Sequence, residues 1–111
     1  MKENIIKTKT FSFACKIIDL EEELIKQKRF VLSKQVGRSG TSIGANVREA
    51  QRAVSRPDFI NKLGISLKEA EETQYWFELI EAKIFKLDNQ LKQDLEEIIK
   101  LLVSIINSSK K

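Results

Sequence analysis

Histidine is absent from this chain, and cysteine occurs once, as Cys15. The first absence removes imidazole bases, imidazole metal ligands and Ser-His-Asp or Cys-His triads; the second removes any internal disulfide and any cysteine-based zinc site. No metal and no cofactor is expected, and the chain reads as a non-enzyme. One proline and four glycines in 111 residues are too few turn residues for a β-sandwich. Long apolar runs are missing too: Leu101-Leu102-Val103 is far short of a membrane span, and the start, MKENIIKTKTFSF, has no apolar stretch leading to a small-residue cleavage site. The expectation is a cytoplasmic protein with a reduced thiol and no membrane partner. What is present is 41% apolar and 32% charged residues, enough for one core in a chain of single-domain length.

Apolar positions recur with helical spacing in four stretches, and no period-2 segment competes with them. The spacing predicts an all-α fold with helices at about 10–28, 33–54, 56–85 and 88–107 and short joints, hence an antiparallel up-down-up-down four-helix bundle. In the first stretch Phe13, Ile17, Leu20 and Leu24 form the stripe, widened by Phe11, Cys15, Ile18 and Ile25, with Thr10 as N-cap. The second, from an N-cap at Ser33, has a seam at Val36, Gly40, Ile43, Val47, Ala50 and Val54. Three glycines on that helix, Gly37, Gly40 and Gly44, cost roughly 1 kcal/mol each against Ala, and close approach of a neighbouring helix is the reason they predict. Ser55, Pro57 and Asp58 mark the start of the third helix, whose seam runs Phe59, Leu63, Ser66, Ala70, Thr73, Phe77, Ile80 and Ile84. Asp88 is placed to cap the fourth, striped by Leu91, Leu95, Ile98, Leu102 and Ile105, and residues 107–111 should fray.

The formal charge of +4 is uneven: residues 1–32, 33–56, 57–86 and 87–111 carry +2, +4, −2 and 0. At about 100° per residue, Lys34, Arg38, Arg48 and Arg52 fall within roughly 80° of one another, facing away from the seam of their own helix. That basic stripe must meet solvent, another subunit or an anionic ligand. On the third helix Glu69 and Glu72 lie beside Ile65, Trp76 and Leu79, on a flank apart from the core stripe. A monomer has little use for a second apolar flank, so these five are candidates for a subunit interface.

The strings Arg38-Ser39-Gly40-Thr41-Ser42-Ile43-Gly44-Ala45-Asn46-Val47-Arg48-Glu49-Ala50, Ser55-Arg56-Pro57-Asp58-Phe59 and Lys68-Glu69-Ala70-Glu71-Glu72-Thr73-Gln74-Tyr75-Trp76 carry a resemblance. They resemble the bacterial four-helix-bundle family first noticed as open reading frames in intervening sequences of 23S ribosomal RNA genes, some of whose members are labelled S23 ribosomal proteins. The resemblance spans about residues 11–85. It implies a four-helix bundle, side-by-side assembly into a homopentameric barrel, and kinship with the accessory variability determinant of diversity-generating retroelements. That relative is a basic protein that binds a reverse transcriptase and nucleic acid, so RNA, DNA and a reverse transcriptase are the partners implied.

Each feature has a sharp and a bland reading. Lys34, Arg38, Arg48 and Arg52 suit phosphate, since guanidinium forks match its oxygens and neutralisation releases counterions. They equally suit a subunit interface, paired with Glu69, Glu72 or Glu49, or a solvated face. Ser39, Thr41, Ser42 and Asn46 have no base to make a nucleophile of any of them, and are expected to hydrogen-bond neighbouring helices, with Asn46 fixing register. Gly40 and Gly44 form a small-xxx-small pair suited to close packing. The third-helix carboxylates lack the Glu-x-x-His pattern of bundle di-metal sites and read as a solvated or salt-bridged face. Trp76 and Tyr75 suit either base stacking or packing against a subunit.

Overall fold

The heptad-like spacing folds into four helices and, among the described residues, no strand. The structure is a computed structural model that describes residues 2–111, with side chains from Asn4 onward: α1 (Lys2–Lys26), α2 (Phe30–Ala50), α3 (Arg56–Lys83) and α4 (Asn89–Ser109). α2 packs against both α1 and α3, and α4 closes against both as well. α1 and α3 lie diagonally and meet through core side chains such as Phe13 and Phe77, whose ring centroids are 6.2 Å apart. The longest extent, 45 Å, is about the length of α3 at ~1.5 Å per residue.

The core is the set of stripes joined: Phe13, Ile17, Leu20 and Leu24; Val36, Ile43, Val47 and Ala50; Leu63, Ala70, Phe77 and Ile80; Leu91, Leu95, Ile98, Leu102 and Ile105. The glycines of α2 face α1. A Cβ at Gly40 would fall 2.7–2.9 Å from three carbons of the buried Ile17 side chain, and one at Gly44 would meet Thr10 at 3.2–3.3 Å. At Gly37 the atoms met belong to the Glu21 carboxylate and its stem. Close approach is thus the reason α2 tolerates these residues, and the α2 rod is unbroken through all three.

Several boundaries differ from expectation. α1 begins eight residues before Thr10, which is buried in mid-helix, its hydroxyl donating to the Ile6 carbonyl at 2.8 Å. Ser33 does not cap α2 either: it is buried, and its hydroxyl crosses to the Glu21 carbonyl of α1 at 3.1 Å. The helix starts instead behind Arg29, after a tight joint. There the Arg29 amide donates to the Leu24 carbonyl at 2.8 Å and the Lys28 amide to that of Ile25 at 2.8 Å, a Schellman turn with Lys28 at φ 60°. α2 ends at Ala50, so Val54 leaves the seam and is 91% exposed, and Arg52 sits in the turn beyond the helix. Phe11, Cys15, Ile18 and Ile25 are exposed rather than part of the core stripe, because α1 has neighbours on only part of its circumference.

Ser55 caps α3 as its spacing predicts, accepting the Asp58 amide at 3.1 Å, while the Asp58 carboxylate takes the Val54 amide at 3.2 Å. Asp88 stands at the N-cap of α4, but its side chain makes no capping hydrogen bond. The end of α4 stays helical through Ser109, whose hydroxyl donates to the Ile105 carbonyl at 2.7 Å, so residues 107–109 do not fray.

Candidate functional site

The outer face of α2 does not act as one stripe. Arg38 is drawn sideways onto α3: its guanidinium donates to Glu69 at 3.2 Å and makes a second, closer contact with Glu72, while Gln35 accepts from it at 3.4 Å. Glu72 also accepts the Trp76 indole N–H at 3.1 Å, so cation, carboxylate and ring form one chain of contacts within a single subunit. Glu49, the other acid considered for this stripe, instead accepts from Lys62 of α3 at 3.2 Å. Lys34 is exposed near the start of α2 and makes no ion pair among the described residues.

Arg48 and Arg52 gather at the other end. The Arg48 guanidinium lies 5.6 Å from the centroid of the Phe11 ring on α1, within cation–π range. Arg48 and Arg52 line a recess of about 570 Å³ with Lys7 of α1 and Lys62 of α3, together with Glu49, Gln51 and Asp58. Four cations against two carboxylates leave a local excess of positive charge. Lys7 and Arg48 also border an adjoining groove of about 250 Å³ between α1 and α2, floored by Thr10, Phe11, Ala14, Thr41, Gly44 and Ala45. Gly44 has no side chain and Ala14 and Ala45 have short ones, so the groove is open and Phe11 is 60% exposed beside it.

The small polar residues are divided in role. Ser39 is fully buried and meets Thr73 of α3, the two hydroxyl oxygens 2.8 Å apart. Thr73 Oγ1 is also 2.8 Å from the Glu69 carbonyl. Having one proton, Thr73 gives it to the carbonyl and receives that of Ser39. Thr41, Ser42 and Asn46 do not reach neighbouring helices as expected; they donate to Gly37, Arg38 and Ser42 carbonyls of their own helix at 2.7, 2.5 and 2.9 Å. Residues of this kind satisfy themselves one turn back when no acceptor faces them. A further polar crossing that the seam hides is Ser66, whose hydroxyl donates to the Ile43 carbonyl of α2 at 2.8 Å.

On the α3 flank Ile65 is exposed and Trp76 and Leu79 are half-buried, Trp76 leaning on the core from its edge. Tyr75 is exposed beside it, ring centroids 5.2 Å apart. Glu69 and Glu72 face Arg38 rather than open solvent. No group of three or more His, Cys, Asp or Glu poised for a metal ion occurs among the described residues, and no helix there is long and apolar enough to cross a membrane.

Lys7, Phe11 and Lys62 belong to the recess and groove yet escape the helical wheel of α2, because they come from other helices. A signal existed for Phe11: with Ile18 and Ile25 it repeats every seven residues, a second stripe on α1 that its own core does not need. The chain is similar over residues 2–107 to the family model described as 23S rRNA-intervening sequence protein. It is 53% identical to a protein of unknown function from Bacteroides thetaiotaomicron, described as belonging to the S23 ribosomal protein family. The match covers 96% of this chain and 99% of that one with a TM-score of 0.91. No curated protein matches.

Proposed function

The chain belongs to the family of 23S rRNA-intervening sequence proteins, and from that premise we propose a non-enzymatic, homo-oligomeric accessory scaffold in the cytoplasm that binds nucleic acid through phosphate contacts. The observation that carries this reading is the recess where Lys7, Arg48, Arg52 and Lys62 converge from three helices around Glu49 and Asp58. Convergent cations neutralise several phosphates at once, which is the sequence-independent part of nucleic-acid affinity. Arg38 takes a different role: held by Glu69 and Glu72, it fastens α2 to α3. Lys34 remains a peripheral phosphate contact.

The bundle is antiparallel, up-down-up-down, in this reading. Its support is the descending register of contacts: Thr10, Ile17 and Glu21 lie against Gly44, Gly40 and Gly37, and Ser39 and Ile43 against Thr73 and Ser66. The oligomer is a ring, the pentamer that the family resemblance implies. Its contact uses two different apolar patches, the Ile18 and Ile25 part of the α1 stripe and the flank of Ile65, Trp76 and Leu79 on α3; Phe11, about two turns before Ile18, stays outside it at the end where the recess opens. A head-to-tail contact between unlike patches closes rings. Arg38 locked within its own subunit favours a second reading, a purely structural or protein-binding homo-oligomer with no nucleic-acid role; a reverse transcriptase is the protein partner that resemblance suggests.

Labelled RNA and DNA titrated at two ionic strengths separate the two. Salt-dependent binding, lost in Arg48→Glu and Arg52→Glu with a flattened salt slope, is expected, while Arg38→Glu acts on stability first. Charge reversal that leaves binding unchanged overturns the phosphate reading and leaves the structural one.

A further inference from the structure

We infer that the groove between α1 and α2 takes one unstacked base of single-stranded RNA against Phe11, with the neighbouring phosphates on Lys7, Arg48 and Arg52; this rests on the phosphate reading above. Phe11 is a large apolar ring left 60% exposed at a protein surface. It borders a groove of about 250 Å³, room for a heteroaromatic base, that opens directly beside the cationic recess and shares Lys7 and Arg48 with it. An aromatic face next to a track of cations is the arrangement that holds single strands, since every base presents a π-face and every linkage a phosphate. Arg48, 5.6 Å from the ring centroid, can keep its cation–π contact or stack on the incoming base, and either keeps its charge beside the backbone.

A duplex presents its bases already stacked and paired, so it gains the phosphate contacts alone. The two carboxylates favour RNA over DNA. Asp58 and Glu49 stand among the cations and would repel phosphate, but each has oxygen lone pairs that can accept a ribose 2′-hydroxyl, which deoxyribose lacks. The Thr41 hydroxyl on the groove wall donates to Gly37 and keeps its own lone pairs for the same purpose.

The test titrates a fluorescent twelve-nucleotide single-stranded RNA carrying 2-aminopurine, the DNA of the same sequence, and the RNA duplex against wild type, Phe11→Ala, Phe11→Tyr and Arg52→Ala. The expected result is preference for the single-stranded RNA, with 2-aminopurine quenching on binding. Phe11→Ala should weaken that binding about 5- to 150-fold, the equivalent of ~1–3 kcal/mol of base stacking, lose the quenching and keep the salt slope. Phe11→Tyr, which restores a ring, should restore both, and Arg52→Ala should lower the slope by about 0.7 while quenching persists. Equal binding of duplex and single strand, or a Phe11→Ala protein that binds and quenches like wild type, overturns the base-stacking inference with the phosphate reading intact. Equal binding of DNA and RNA single strands overturns the ribose assignment. Absence of salt-dependent binding to all three probes overturns the phosphate reading itself.

Discussion

Lys28 turns the chain between α1 and α2 with φ at 60°, a conformation in which a Cβ crowds the backbone and glycine is normally found. The Schellman hydrogen bonds of Lys28 and Arg29 hold it there in spite of that cost. Lys28→Gly should raise stability by about 1 kcal/mol, since the penalty on a left-handed non-glycine residue is of that order. The α2 glycines sort the other way. At Gly40 an added Cβ would come within 3 Å of three atoms of Ile17, a side chain locked in the core, and the clash of about 1–3 kcal/mol exceeds the ~1 kcal/mol of helix propensity that Ala adds. At Gly37 the obstacle is the Glu21 carboxylate, which can swing outward. Burial, with Glu22 adding to it, already pushes the Glu21 carboxyl above the usual carboxylate range, so little is lost when it moves. Urea denaturation should therefore rank Lys28→Gly above wild type, Gly37→Ala near or above it, and Gly40→Ala below it; a Gly40→Ala protein as stable as wild type would show that α1 and α2 are not pressed together there.

Among the elements, α4 is tied to both of its neighbours by charge as well as by its apolar stripe. Lys16 of α1 reaches Asp94 at 2.7 Å, and Lys92 of α4 reaches Glu81 of α3 at 2.8 Å, where the Leu87 amide also donates to Glu81. The Lys92 and Leu87 hydrogen bonds hold the Glu81 carboxyl below the usual range. At Asp94 burial pushes upward, but Lys16 and Gln90 donating together outweigh it and the carboxyl ends below its ordinary value; the hydrogen bond to Asp94 in turn raises Lys16. A depressed carboxyl adds stability that is fully present above its unfolded pKa of about 4 and drains away as pH falls through the lower folded value. The raised Lys16 adds stability that persists until pH passes its folded value, above about 10. Asp94→Asn should thus cost less than about 1 kcal/mol at pH 7, in the range of partly exposed pairs, and less in a second measurement at about pH 2. A gap of equal size at both pH values in paired urea titrations would locate the role of Asp94 elsewhere. The same elements show what was legible. Helix identity followed from apolar spacing, which needs no neighbours to be read. The starts of α1 and α2 did not, although Ser55 marked that of α3: Thr10 and Ser33 carry the oxygen that marks an N-cap, yet in the bundle those oxygens serve the Ile6 carbonyl and, across helices, that of Glu21. A start set by a Lys in a left-handed turn has no sequence signature at all.

For the whole molecule, what one helix displays depends on what the next supplies. The α2 wheel places Arg38 and Arg48 on one face, but α3 withdraws Arg38 with two carboxylates and α1 sets a phenyl ring beneath Arg48. The cationic centre therefore forms at the end where Lys7 and Lys62 join, a position that only the packing of three helices defines. Apolar surface is redistributed in the same way. Ile18 and Ile25, each 49% exposed, mark one side of α1, and Ile65 and the half-buried Trp76 and Leu79 mark α3 on the diagonal helix. One unlike pair of patches per copy leaves each proposed subunit with one donor and one acceptor contact, which closes into a ring only if the angle between them divides the circle. Light scattering on the wild type should then give a discrete multiple of 12.8 kDa, five-fold for the pentamer, unchanged across micromolar concentrations. Ile18→Lys with Ile25→Lys should give the monomer mass while circular dichroism keeps the wild-type helix content, because neither side chain enters the core. Trp76→Ala should also disperse the ring from the other side of the contact, and mixing it with the α1 double variant should form a dimer through the one pair of intact patches that remains. Dispersal by either set without that rescue would mean a like-on-like contact, and an unaltered mass in both would remove the ring.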